Sequence, residues 1–151
     1  AKLSSRRPRN FFRDQREFCV DKKATVFLDR DGTINFDSEY LTSPAQVSLL
    51  PGAAQALGLL RRSGFSLVVV SNQSAVGRGY CRADDVEAVN RRLQELLVSQ
   101  DADARFEAVF YCPHAPAEKC SCRKPGTALV DGKWEYDASR SWMIGDKTID
   151  L

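Results

Sequence analysis

The chain has 151 residues, 43% hydrophobic and 28% charged, which suits one compact domain with its own core. No apolar run approaches the roughly 18–20 residues that span a bilayer, and no cleavable leader pattern follows the basic start, so no membrane span is expected. The net charge of +2 hides an asymmetry: residues 1–23 carry eight Lys/Arg against three Asp/Glu, and the rest carries fourteen against seventeen. An acidic body of this kind does not advertise a nucleic-acid groove.

Residues 1–23 show no sustained period and read as a basic N-terminal extension, leaving residues 24–151 as the domain. Val26-Phe27-Leu28 predicts a strand, and it runs straight into Asp29-Arg30-Asp31-Gly32-Thr33. Two carboxylates one residue apart at the end of a buried strand disfavour each other's ionisation, so a cationic partner is expected there. Residues 53–62 carry Ala53, Ala56, Leu57 and Leu60 at helical spacing, between Pro51 and Gly64. Residues 66–70 predict a second strand that ends in Ser71-Asn72-Gln73.

Residues 83–99 place Val86, Val89, Leu93, Leu96 and Leu97 on one helical face, with Asp84 and Asp85 in the first turn, where they complement the helix dipole. Residues 106–111 and 142–144 predict a third and a fourth strand, the last running into Gly145-Asp146. Strands buried on both faces and separated by helices imply an α/β fold: a Rossmann-like parallel sheet with helices on both faces. Chemistry in such sheets gathers at the carboxyl ends of the strands.

The only histidine lies in Cys112-Pro113-His114, followed by Cys120-Ser121-Cys122. Four N/S ligands close a tetrahedral site and leave no open position, so this spacing predicts a structural Zn²⁺ held by Cys112, His114, Cys120 and Cys122. Thiols used as ligands fit a reducing, cytoplasmic setting. Cys19 and Cys81 lack such neighbours and are not expected to be ligands.

In order along the chain, FLDRDGTIN, SNQSAVGRGY, YCPH with CSCRKP, and MIGDKTIDL resemble the haloacid dehalogenase superfamily, within it the D-glycero-D-manno-heptose 1,7-bisphosphate phosphatases and their histidinol-phosphatase relatives. The resemblance covers about residues 25–151. It implies a phosphatase with a zinc loop and a small flap in place of a large cap domain. Asp29 would be the nucleophile, and Asp31 would donate a proton to the leaving oxygen and then take one from water. Mg²⁺ would be held by Asp29, Asp146 and the backbone carbonyl of Asp31.

By the same resemblance Ser71 and Lys124 hold the phosphoryl group. Arg123, Asn72, Gln73, Ser74 and Lys147 face the substrate, Asp37, Ser38, Glu39 and Tyr40 form the flap, and Arg78 meets a second anionic group. The expected partner is a small phosphorylated sugar or amino alcohol. The C7 phosphate of heptose 1,7-bisphosphate, a lipopolysaccharide precursor, is preferred, with histidinol phosphate and a non-catalytic zinc-stabilised fragment as alternatives. The usual family wording is close to SNQSGVARGY, so Ala75 and Gly77 invert its small residues. Relatives continue beyond the position of Leu151 through another helix and strand. The chain therefore reads as truncated at its C-terminus, and a monomer is expected of the full-length protein.

Overall fold

The computed structural model describes residues 22–150. Four strands, β1 (Thr25–Leu28), β2 (Ser66–Asn72), β3 (Ala108–Cys112) and β4 (Trp142–Ile144), form one sheet in the order β3-β2-β1-β4. Every pairing is parallel: Val26 stands opposite Leu67 and Trp142, and Val70 opposite Phe110. The two long helices are α1 (Ala53–Arg62) and α2 (Ala83–Gln100).

The elements start and stop for local reasons. Gly52 takes φ +78 at the start of α1 and Gly64 takes φ +91 just after its end, a backbone region that costs glycine little. In α2 the Asp85 carboxylate accepts the Arg82 N–H at 2.8 Å, and Val86, Val89, Leu93 and Leu97 are its buried residues. The side-chain alternation of the strands splits the core in two. Val26, Leu28, Leu67 and Val69 pack with Ala54, Leu57, Leu93 and Leu97 of the helices. On the opposite face Phe27, Val68 and Val70 pack with Cys112, Leu129 and Val130.

The expectation of helices on both faces is therefore met on one face only. Crossovers β1-α1-β2 and β2-α2-β3 step in the same direction, and right-handed connections then place both helices on the same side. The return from β3 to β4 reverses direction and must cross the other face. It does so without an α-helix: residues 113–141 contain 3-10 turns at Pro116–Glu118 and Ala138–Arg140, and a turn in which Trp134 N–H bonds Val130 C=O at 3.1 Å. The segment after Pro125 plugs the sheet with Leu129 and Val130 instead.

The strand boundaries differ from expectation by one or two residues, since β2 runs on to Asn72 and β3 begins at Ala108. Of the expected extension over residues 1–23, residues 1–21 lie outside the described residues. Lys23 belongs to the domain: its carbonyl accepts the Asp137 N–H at 3.0 Å and its amine bonds Glu107 at 2.9 Å. No helix among the described residues is long and apolar enough to cross a membrane.

Candidate active site and metal centres

Asp29 follows β1 directly, and its N–H bonds the Ile144 carbonyl of β4 at 2.9 Å. Just past β4, the 3-10 turn Thr148–Asp150 folds back so that Asp150 accepts the Lys147 N–H at 3.1 Å. Carboxylate oxygens of Asp29, Asp146 and Asp150 thereby lie within 4.8 Å of one another. Gly32, at φ +81, makes room for this: a Cβ there would overlap the Asp146 carboxylate, and the left-handed backbone would strain any other residue.

One cation stands among the three acids. Lys124 Nζ donates to Asp29 Oδ1 at 2.8 Å and also contacts Asp150 Oδ1. Burial pushes the Asp29 carboxyl above its ordinary value; the Lys124 hydrogen bond and charge oppose that shift without cancelling it, and Asp150 adds to it. Three converging carboxylates, Asp29 and Asp150 buried and Asp146 exposed, share one buried ammonium and so leave an excess of negative charge. That donor set, hard oxygen ligands beside a strand end, fits a divalent cation such as Mg²⁺.

Asp31 stands outside this trio. Burial raises its carboxyl, but the Arg30 charge and donors from Arg30, Asn35 and Gln73 outweigh burial and hold it below the usual value. Asn35 Nδ2 donates to Asp31 Oδ1 and Gln73 Nε2 to Asp31 Oδ2, both at 2.8 Å. Gln73 Nε2 also donates to Ser71 Oγ at 2.7 Å, joining that hydroxyl to the same network. Asn72 Oδ1 accepts the Lys124 N–H at 3.0 Å and so fixes the lysine's backbone.

A cleft of about 330 Å³ opens over these groups, lined by Asp29, Asp31, Ser71, Asn72, Gln73, Ser74, Arg123, Lys124 and Asp150, and by Asp37, Glu39, Tyr40 and Lys147. The loop that carries the expected flap residues Asp37, Ser38, Glu39 and Tyr40 is tied at its base, where Phe36 N–H bonds Ser48 C=O at 3.0 Å. Across the mouth Lys147 Nζ pairs with Asp37 at 3.0 Å, so two expected substrate residues hold each other. Tyr40 meets Tyr80 edge-on at 4.9 Å, joining the flap to the loop after β2. Ser38 and Arg78 do not line the cleft and are exposed. A larger groove of about 620 Å³ lies between α2 and β3, without converging metal ligands.

The second cluster brings Cys112, His114, Cys120 and Cys122 together. Sγ–Sγ separations are 3.3–3.5 Å and His114 Nδ1 lies 3.2 Å from Cys122 Sγ. A tetrahedron with Zn–S of ~2.3 Å has edges of ~3.8 Å, so a small adjustment seats the ion. Burial, then the Cys122 contact, pushes the Cys112 thiol up to about 12; at Cys120 desolvation is outweighed by donation from Cys112 and Cys122, which brings it down to about 7. The cluster buttresses its neighbours. Arg123 Nη1 reaches the His114 carbonyl at 3.5 Å, and Gly77 N–H bonds the Pro113 carbonyl at 2.8 Å.

No protein-family model matches the chain. It is 35% identical to the D-glycero-beta-D-manno-heptose-1,7-bisphosphate 7-phosphatase of Helicobacter pylori over 135 residues, 87% of this chain and 77% of that protein. The chain belongs to this haloacid-dehalogenase-like phosphatase family. Among solved structures, a putative HAD-like phosphatase from Mesorhizobium loti superposes with a TM-score of 0.74 at 34% identity over 83% of this chain. The D,D-heptose 1,7-bisphosphate phosphatase of B. bronchiseptica, crystallised with magnesium and phosphate, superposes with a TM-score of 0.64 at 32% identity over 70% of this chain. This chain spans 64% and 59% of those two chains.

Two residues in the family site escaped the sequence reading. Asp150 joins Asp29 and Asp146; the signal was present in GDKTID, where a spacing of four residues lets one turn bring two carboxylates together. Arg30 was passed over because it lies between two acids and reads as their solvated neighbour. It is 1% exposed.

Proposed function

We propose that this chain carries the active site of a Mg²⁺-dependent phosphatase that removes the C7 phosphate of heptose 1,7-bisphosphate through an aspartyl-phosphate intermediate. One observation carries the reading: the Asp29 carboxylate, at a strand end, is held 2.8 Å from the Lys124 ammonium while two further carboxylates converge on it. An oriented nucleophile, a fixed positive charge and a hard-cation site are the parts that phosphoryl transfer requires. Asp29, Asp146 and the Asp31 carbonyl would hold Mg²⁺, with Asp150 beside them. When bound, the ion neutralises charge between the anionic nucleophile and the phosphate.

In the first step an Asp29 oxygen forms a bond to phosphorus as the ester P–O bond breaks, and Asp31, which must first take up a proton from water against the Arg30 charge that favours its ionised form, passes that proton to the departing alkoxide. In the second, water attacks phosphorus, Asp31 takes a proton from it, and the Asp29–phosphorus linkage breaks. Lys124 and Ser71 stabilise charge on the transferring oxygens. Cys112, His114, Cys120 and Cys122 would hold a structural Zn²⁺, which would stiffen the loop that carries Arg123 and Lys124, in a cytoplasmic setting where the thiols stay reduced.

The sugar bisphosphate is preferred because the Helicobacter pylori relative is named for it; Arg78, exposed and four residues beyond the cleft residue Ser74, would have to reach over the cleft to meet a second phosphate. The test is phosphate release with Mg²⁺ from heptose 1,7-bisphosphate and from histidinol phosphate, by wild type and Asp29→Asn. Wild type should favour the bisphosphate, and Asp29→Asn should lose turnover while melting like wild type. Multiple turnover by Asp29→Asn would remove the covalent mechanism, and a preference for histidinol phosphate would reassign the substrate.

A further inference from the structure

Arg30 is the largest fully buried side chain of the described residues. A guanidinium keeps its charge at any working pH, so it can be buried only where acceptors meet its donors. It finds four. Nε donates to Asp31 Oδ1 at 3.0 Å, and Nη2 to Asp31 Oδ2 and Gln73 Oε1 at 2.9 Å each. Nη1 donates to Asn90 Oδ1 at 3.0 Å.

The two-toothed grip fixes both the place and the plane of the Asp31 carboxylate, which a single-point ammonium would not do. Asn90 in turn sits on α2 between Val89 and Leu93, both sealed in the core, so the far end of the guanidinium is braced by a rigid helix. Nothing about filling space requires this pattern. An apolar side chain would pack the same volume without four directed bonds.

We infer that Arg30, braced by Asn90, is a positioning residue that sets where the Asp31 carboxylate stands and so governs proton transfer to the leaving group. The inference rests on the proposed role of Asp31 as proton donor and acceptor. It carries a specific consequence: loss of the brace harms an ester whose leaving oxygen needs a proton and spares one whose leaving group departs as a stable anion. A residue that merely holds the fold together has no means of telling the two apart.

The experiment measures single-turnover phosphoryl transfer from an alkyl sugar phosphate and from 4-nitrophenyl phosphate, in wild type, Arg30→Lys and Asn90→Leu. Both variants should slow the alkyl ester about 10- to 100-fold with KM within about twofold, and the aryl ester by no more than about threefold. Asn90→Leu alters only a half-buried helix position, so it decides the matter if Arg30→Lys does not fold. Equal losses on both esters, or no loss on the alkyl ester, would overturn the inference. Wild type that hydrolyses neither ester would overturn the proposed function and this inference with it, whereas an active wild type with indiscriminate variants overturns this inference alone.

Discussion

Replacing Lys124 with Met tests whether the carboxylate trio depends on a single cation. At 2.8 Å and an effective dielectric of about 20, the Lys124–Asp29 attraction is about 6 kcal/mol before desolvation is subtracted. Both partners are buried, so solvent screens them little, and breaking such a pair from one side costs about 3–5 kcal/mol because the remaining charge is stranded. For a domain of this size that corresponds to a Tm lower by roughly 6–20 °C at neutral pH. Met fills most of the volume, which isolates the charge from a packing defect.

The same substitution leaves the three acids without the ammonium that contacts Asp29 and Asp150, with only the charge of Lys147 near Asp29 and Asp146, so added Mg²⁺ should raise the variant's Tm by more than it raises that of wild type. Phosphatase turnover should fall by about 10²–10³, because the fixed charge that stabilises the transferring oxygens is gone. Circular-dichroism melts with and without Mg²⁺, paired with phosphate-release assays, make the measurement. A variant melting within about 2 °C of wild type in the absence of metal would refute the reasoning, since a pair this buried cannot be removed from one side without cost.

Elemental analysis should find one zinc per chain, and its removal by chelation or by Cys120→Ser should lower Tm by more than ~10 °C; unchanged melting of zinc-free protein would reduce the cluster to chance proximity. Gly77→Ala should cost about 1–3 kcal/mol and reduce kcat/KM, because a Cβ there would stand 2.5 Å from Ala115 N and 2.8 Å from Pro113 O, forcing the loop after β2 off the zinc loop. A fully active, equally stable variant would show that the two loops do not brace each other. Asp137 accepts bonds from Ser139 and Arg140, which pull its carboxyl from 3.8 down to about 2. A depressed folded-state pKa contributes stability above pH ~4 that is lost as pH falls through about 2, so Asp137→Asn should flatten denaturation midpoints across that window. An acid limb as steep as that of wild type would contradict it.

The strands and both helices were legible because their apolar residues recur at clean periods, and the polar residues that end each strand marked the catalytic edge. That Cys112, His114, Cys120 and Cys122 would gather was legible from spacing alone. Less visible was anything set by long-range packing. The plug of Leu129 and Val130 carries no helical period, and whether the crossover needs a helix is decided by the room above Phe27 and Val70. The grip of Arg30 on Asp31 could not be read from DRDG either, because Arg30 is held in turn by Asn90, sixty residues away on a helix whose sequence advertises only its apolar face. The inverted Ala75 and Gly77 gain a reason only in three dimensions: Ala75 is buried, and Gly77 lies against the zinc loop.

Handedness explains why these particular residues meet. The chain lays down β1, β2 and β3 in one direction and then returns to place β4 on the far side of β1, so strand order reverses at β1 and a crevice opens beyond its carboxyl end. Asp29 stands at that reversal. Its neighbour on one side is Ser71, at the end of β2, and on the other Asp146 and Asp150, past β4. The returning segment must pass over the crevice to reach β4, and it carries Lys124 with it, clamped at one end by the Cys and His cluster and at its backbone by Asn72. Five residues spread over more than a hundred positions thus converge because one reversal of direction, in a sheet whose crossovers share a hand, leaves a single place where strand ends and the return path coincide.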